Sequence, residues 1–199
     1  MATNIETVPV SGRKRFNCIS PETEAELGKQ QYEEVLRQYK GSILPASRPE
    51  VRMVKKVLDR LVPNSGVEGD WEVFVVQSEE ANAFVIPGGK VFVMSGILPI
   101  CEGEGGLAAV LGHEIAHNVA HHSAENVSRV SVLLPIAWLA GFLLDVSGNL
   151  PFFVLDLALN RPGSRKQETE ADFIGLSMAL SLWVRLLLIE GSDGCSELL

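Results

Sequence analysis

The sequence has no uninterrupted apolar run of the about 18–20 residues that a membrane-spanning helix requires. The two longest apolar stretches, Val132–Leu144 and Leu150–Leu159, both fall short of it. Cysteine is scarce: Cys18, Cys101 and Cys195 are odd in number and far apart, which excludes a disulfide framework and leaves no pair at zinc-ligand spacing. Basic charge is also scarce. Against 25 acidic residues stand 17 Lys and Arg, giving a net charge of −8, and no dense basic patch offsets it, so nucleic acid is not an expected partner. Met1–Val10 has neither an apolar core region nor an Arg-rich amphipathic stretch, so no signal or transit peptide is expected within this chain. No internal repeat is visible. What is present is a 199-residue chain, 46% hydrophobic and 21% charged, the composition of a globular domain with extensions.

The pattern along the chain predicts an α+β fold, mostly helical. The basic cluster Arg13-Lys14-Arg15-Phe16 reads as a solvated turn, with a membrane-surface contact as the second reading. Ser20-Pro21-Glu22 has the form of a helix start: an N-cap serine, proline at the first helical position and an acidic first turn. That helix should run to about Tyr39 and bury Leu27, Tyr32, Val35, Leu36 and Tyr39. A second helix, Pro49 to about Leu61, carries Val51, Val54, Leu58 and Leu61 at helical spacing and stops at Pro63-Asn64-Ser65-Gly66. Three strands follow, at Trp71–Val76, Asn82–Ile86 and Lys90–Ser95, the last two joined by Pro87-Gly88-Gly89 as a hairpin. Glu104 to about Val130 reads as one long central helix. For the apolar runs Val132–Leu144, interrupted by Pro135 and Gly141, and Leu150–Leu159, two readings stand: core or protein-contact helices, which their length favours, and a re-entrant, membrane-facing hairpin. Asp145–Asn149 reads as a loop, Pro162–Arg165 as a turn, Gln167 to about Ile189 as a helix and Gly191–Cys195 as a tail.

One stretch carries chemistry. Gly112-His113-Glu114-Ile115-Ala116-His117 contains H-E-x-x-H inside an apolar run. Residues four apart share a helix face, so His113 and His117 can aim ring nitrogens at one point. Two imidazoles suit Zn2+, and Glu114 is then placed as the base for a water activated there. A third ligand must come from elsewhere, and Glu168-Thr169-Glu170-Ala171-Asp172 supplies it: Glu168 completes a His2Glu set for one zinc per chain. Asp172, four residues on, is placed to accept the second ring N–H of a ligand histidine. Glu170 points about 200° away from Glu168 and is expected in solvent or in an unrelated contact. On a continuous helix His122 lies roughly 180° around from His113, in solvent or a core polar contact, while His121 stands as a weak alternative ligand. The hairpin Asn82–Ser95 offers a sheet edge for an extended peptide.

These motifs resemble a known family. Leu111–His117, the hairpin Asn82–Val93 and Ser164–Asp172 are together similar to the gluzincin peptidases, the group of the CAAX prenyl proteases and the bacterial protease HtpX. Gly12–Asn17 and Ser20-Pro21-Glu22 resemble the mitochondrial inner-membrane, Oma-type branch of that group. The resemblance implies a zincin-like H-E-x-x-H helix packed beside a small antiparallel sheet or hairpin. It implies a zinc-dependent metalloendopeptidase of mitochondrial inner-membrane quality control, acting on membrane-associated proteins such as a dynamin-like GTPase. His113, His117 and Glu168 map onto the metal ligands, Glu114 onto the base and Asp172 onto the group behind a ligand. Asn82, Ala83 and Phe84 map onto the edge that engages substrate. The partners implied are protein or peptide substrates and the membrane; a homo-oligomer is left open. The expected organisation is a flexible segment over 1–12, the peptidase domain over 13–180, truncated relative to the family, and an atypical tail over 181–199. The family's upstream presequence and membrane segment, and its later His/Arg-bearing segment, are not recognisable here, and the approach to Ser164 differs, at Asn160–Gly163. The alternative reading is therefore a catalytically impaired zinc-binding or scaffold protein.

Overall fold

The computed structural model describes residues 4–8, 10–67, 69–143 and 163–193. The loop expected at Asp145–Asn149, the apolar run Leu150–Leu159 and the end of the expected tail at 194–199 lie outside the described residues. Within them the fold is α+β, with five helices and two small sheets.

Strands β1 (Ile5–Thr7) and β2 (Lys14–Phe16) pair antiparallel, Ile5 opposite Phe16. Strands this short and this charged carry no apolar alternation, which is why their sequence predicts a flexible segment and a solvated turn instead. The basic cluster is solvated only in part: Lys14 and Phe16 are exposed, whereas Arg13 and Arg15 are turned inward. Arg13 and Arg15, two apart, reach toward the same side of the ribbon, as pleat geometry requires. Arg15 is buried, bonds Glu6 at 2.9 Å and donates to the Ala120 carbonyl. Val8, in the connecting turn, is fully buried in the main core.

Helix α1 (Pro21–Gln38) begins as its sequence demands: the Ser20 hydroxyl accepts from the Thr23 N–H at 3.2 Å. Its Tyr32, Val35 and Leu36, with Tyr39 just beyond, pack on one face of the larger sheet. Leu27, expected inside, is 40% exposed. The close approach is made instead by Gly28, where a Cβ would stand 2.6 Å from the Pro87 carbonyl oxygen. Helix α2 (Pro49–Leu61) buries Val51, Val54, Leu58 and Leu61, the expected apolar stripe.

The larger sheet is built from β3 (Glu72–Val76), β4 (Ala83–Ile86) and β5 (Lys90–Met94) in the order β3-β5-β4. The hairpin β4–β5 is antiparallel, as expected, with Phe84 opposite Phe92. Strand β5 returns between its two predecessors, so it runs parallel to β3 and the sheet is mixed. Period-two alternation sorts its two faces. Val73, Val75, Ala83, Val85, Val91 and Val93 join the core with α2 and the next helix, whereas Phe74, Val76, Phe84, Ile86, Phe92 and Met94 face α1. The outer side of β3 is covered by the 42–44 segment, through Leu44 N–H to the Val75 carbonyl at 2.8 Å and Gln77 N–H to the Ser42 carbonyl at 2.7 Å. Strand β4 forms the opposite edge.

The central helix expected over Glu104–Val130 is two helices, α3 (Glu104–Val119) and α4 (His122–Leu143). His121 takes a left-handed φ of 50° and ends the first, and its ring turns to Glu24 of α1 at 2.8 Å. Helix α4 continues through Pro135 into the apolar run Val132–Leu144. Among the described residues of that run only Ala137 is buried, while Val132, Leu133, Ile136, Trp138, Leu139 and Phe142 are exposed, so these residues are not packed into the core of this chain. No helix of the described residues is long and apolar enough to cross a membrane.

Helix α5 (Gly163–Asp193) starts four residues earlier than expected and takes in the turn at Ser164-Arg165. It packs against α3, with Ala171, Ile174 and Met178 in the core that holds Leu107, Leu111 and Ile115. Gly112 and Gly175 let the two backbones touch at the crossing.

Candidate metal centre

That crossing fixes what the two helices share. Helix α3 presents His113 and His117 one turn apart, and α5 brings Glu168 and Asp172 over them. One ligand atom each from His113, His117 and Glu168 lies within 4.8 Å of the other two. The Nε2 atoms of the two histidines are 3.0 Å apart, and Glu168 Oε2 is 3.3 Å from the first and 3.6 Å from the second.

The ring protons follow from the far side of each imidazole. Asp172 Oδ1 is 2.9 Å from His113 Nδ1. A carboxylate only accepts, so His113 carries its proton on Nδ1 and turns a lone pair inward from Nε2. His117 Nδ1 is 2.8 Å from His122 Nδ1, and His122 Nε2 is 2.9 Å from Glu170 Oε2. Glu170 accepts from His122, His122 then accepts from His117, and the His117 Nε2 lone pair also faces inward. Two lone pairs and a carboxylate oxygen converge with no proton between them. Such a set repels itself unless a cation sits at its centre, and its nitrogen and oxygen donors fit zinc. Burial, with His122 adding to it, holds His117 below the ordinary imidazole range, which keeps it neutral for that purpose.

Glu114 follows His113 on α3 and is half-buried. Burial pushes its carboxyl up to about 7, with His113 opposing the rise and Glu168 adding to it. A carboxylate poised near neutrality is suited to take up and return a proton.

The structure therefore brings together His113, His117, Glu168 and Asp172, with Glu114 beside them. It turns the ring of His121, the weak alternative ligand, to Glu24 of α1 instead. Ala83 and Phe84 turn their side chains into the two cores, so the strand offers its main chain rather than its side chains at the edge. Met94 N–H donates to the Asn82 carbonyl at 2.9 Å, and antiparallel alternation then turns the main-chain groups of Ala83 and Val85 away from β5.

The network behind His117 is legible in the sequence only as far as the core polar contact expected for His122; its route to His117 and its further members are not. His122 is 2% exposed and reaches His117 because the helix breaks at His121; a continuous helix carries it to the opposite side. Glu170, expected in solvent or in an unrelated contact, is 5% exposed and is bonded by His122, by the Ser11 hydroxyl and by Arg13 Nε at 2.7 Å. Arg13 also clasps the buried Glu125 through two nitrogens, at 3.1 and 2.6 Å. Burial alone would raise the Glu125 carboxyl, but hydrogen bonds from Arg13 and Arg129 outweigh it and hold it at about 2. Only the adjacent pair His121-His122 after Ala120 hinted at this network in the sequence.

Two histidines and a glutamate from crossing helices, with a second glutamate beside the first histidine, define the class of zincin-like metallopeptidase folds. Comparison with known proteins gives the family. The chain belongs to peptidase family M48, whose profile matches residues 49–183. It is similar to the mitochondrial metalloendopeptidase OMA1 of Schizosaccharomyces pombe, 45% identical over 203 residues that cover 96% of this chain and 60% of that protein. The protein of the same name from Saccharomyces cerevisiae is 41% identical, covering 87% of this chain and 54% of its own length. The human mitochondrial metalloendopeptidase OMA1 is 34% identical, covering 89% and 37%. The chain thus spans about half the length of these curated relatives.

Proposed function

We propose that this chain is the catalytic domain of a zinc-dependent metalloendopeptidase that works in mitochondria, cleaving membrane-associated proteins in inner-membrane quality control. The reading rests on one observation above the others: one ligand atom each from His113, His117 and Glu168 lies within 4.8 Å of the other two, next to Glu114, whose carboxyl burial pushes up to about 7. The names of the relatives support the reaction class and the organelle.

His113, His117 and Glu168 would hold the ion. Zinc held by them would supply Lewis acidity and make a water easier to deprotonate. Glu114 takes the proton from the attacking water and returns it to the leaving amine, a role its raised affinity suits. Asp172 holds His113 by its Nδ1 proton. The open edge of β4, over Asn82–Phe84 and on to Val85, binds an extended peptide through main-chain hydrogen bonds.

The test is zinc content and casein hydrolysis for the wild type and Glu114→Gln. The expected result is one zinc per chain in both, with cleavage reduced in the variant by about 10²–10⁴-fold. Stoichiometric zinc without Glu114-dependent cleavage would leave a zinc-binding or scaffold protein. No zinc in the wild type would overturn both readings.

A further inference from the structure

The metal centre has two supports of different make. His113 is held by one exposed carboxylate, Asp172, whose side chain is 74% exposed. His117 is held by a chain of three hydrogen-bonded links that ends in the N-terminal hairpin. His122 and Glu170 are both nearly inaccessible, and Glu170 is fixed by Ser11 and Arg13 from the turn and strand start between β1 and β2. Arg13 is itself fixed by Glu125 of α4, which Arg129 also engages. Both Ser11 and Arg13 lie outside the residues matched by the family profile.

The chain of hydrogen bonds has a direction. Arg13 has only donors, so Glu170 must accept from it, and Glu170, an acceptor throughout, must receive a proton from His122 Nε2. That leaves His122 Nδ1 as an acceptor for His117 Nδ1–H. Reversing any link puts a proton on His117 Nε2, where it blocks the ligand atom. Imidazoles that bind metals need this kind of support to fix tautomer and ring orientation.

We propose that the N-terminal hairpin is a working part of the metal centre: Arg13 and Ser11 fix Glu170, Glu170 fixes His122, and His122 holds His117 with its Nε2 lone pair toward the ion. These are positioning residues, since none touches the reacting atoms. The inference rests on the zinc reading for its purpose, while the relay itself has a readout without the metal.

The experiment combines zinc affinity, by competition with a chelator, with long-range 1H–15N spectra that report which ring nitrogen of His117 is protonated. Wild type is expected to show His117 protonated on Nδ1 with and without zinc. His122→Phe keeps the ring volume but removes both bonds. It should lose that signature and weaken zinc binding about 10–100-fold. His122→Gln restores an acceptor for His117 and a donor for Glu170, and should recover most of both. Arg13→Gln should fall the same way from two links off, with Arg13→Lys closer to wild type; this pair carries the test if His122→Phe does not fold. Unchanged zinc affinity and an unchanged His117 signature in His122→Phe and Arg13→Gln would overturn the relay. A wild type that binds no zinc would overturn the zinc reading, and the His117 signature in the metal-free variants would still decide the relay.

Discussion

Gly112 and Gly175 meet backbone to backbone where α3 crosses α5. A Cβ on Gly175 would stand 2.9 Å from the Gly112 carbonyl carbon and from the His113 nitrogen, whereas a Cβ on Gly112 meets nothing closer than the Gly175 carbonyl oxygen at 3.2 Å. The contact sits one residue before the first proposed ligand on α3 and one turn after Asp172 on α5. It therefore sets the height at which Glu168 and Asp172 hang over the two histidines.

The asymmetry predicts different outcomes at the two glycines. Alanine gains roughly 0.5–1 kcal/mol over glycine inside a helix. At Gly112 that gain meets only a modest squeeze, so Gly112→Ala should be close to neutral. At Gly175 the clash is with backbone, which cannot turn aside, and overpacking of this kind costs about 1–3 kcal/mol. Gly175→Ala should melt lower than wild type and bind zinc more weakly, because the helices separate at the site. Thermal melts with and without zinc check it; equal melting of the two variants would count against a crossing held by this contact.

Much of the site was legible in the sequence because it depends on spacing along one helix at a time. His113 and His117, and Glu168 and Asp172, are four-residue pairs, and the stretches that carry them lie inside helices where helix was expected, although the first of those helices ends earlier and the second begins earlier than the pattern indicated. The strands were legible from alternating apolar residues such as Val73, Val75, Val91 and Val93. What was not legible depends on single residues with no period. His121 enters the left-handed region without being glycine, and that one turn swings His122 onto His117. Strands β1 and β2 are too short and too charged to alternate, so Arg13 and Arg15 read as surface. Arg13 is drawn inward by Glu125 and Glu170, more than a hundred residues away, and Arg15 is buried against Glu6 and the Ala120 carbonyl.

Glu125 links this network to acid stability. Its carboxyl is held at about 2 in the folded chain, against an ordinary value near 4.3. A depressed carboxyl contributes stability that is complete above the unfolded value and is lost as pH falls through the folded one. The window is therefore from about pH 5 down to about pH 2, and the contribution at neutrality is on the order of 3 kcal/mol. Denaturant unfolding across that range should show stability falling with acid in wild type. Glu125→Gln should be less stable at pH 7 and should show a shallower slope. A slope unchanged by the substitution would remove Glu125 from the account.

The two supports of the metal centre should differ in weight. Asp172 is exposed, and water competes for the His113 Nδ1 proton once the carboxylate is gone. Removing a group behind a metal ligand weakens binding by about 10–100-fold, and exposure places Asp172→Ala at the lower end of that range. His122→Phe, at a buried link, belongs at the upper end. Chelator competition on both variants measures the order, and a larger loss in Asp172→Ala would reverse it.

The edge of β4 gives the last prediction, and it separates binding of substrate from binding of metal. Alternation along β4 places the Phe84 N–H in the ladder with β5 and the Val85 N–H on the open side. Proline removes an N–H and is tolerated at a strand edge where that N–H faces outward. Val85→Pro should therefore keep the fold and the zinc affinity while losing one main-chain bond to an extended peptide. A net hydrogen bond is worth about 0.5–1.5 kcal/mol, so KM for a peptide substrate should rise by roughly 2–10-fold. Phe84→Pro breaks a ladder bond and the stack of Phe84 on Phe92, whose ring centroids are 5.3 Å apart, and should destabilise the domain outright. Steady-state kinetics on Val85→Pro beside melting of Phe84→Pro distinguish the two sides of the strand. An unchanged KM in a folded, zinc-loaded Val85→Pro would move the substrate away from this edge, and the melting temperature and zinc affinity of the same variant control for the core packing that the Val85 side chain also loses.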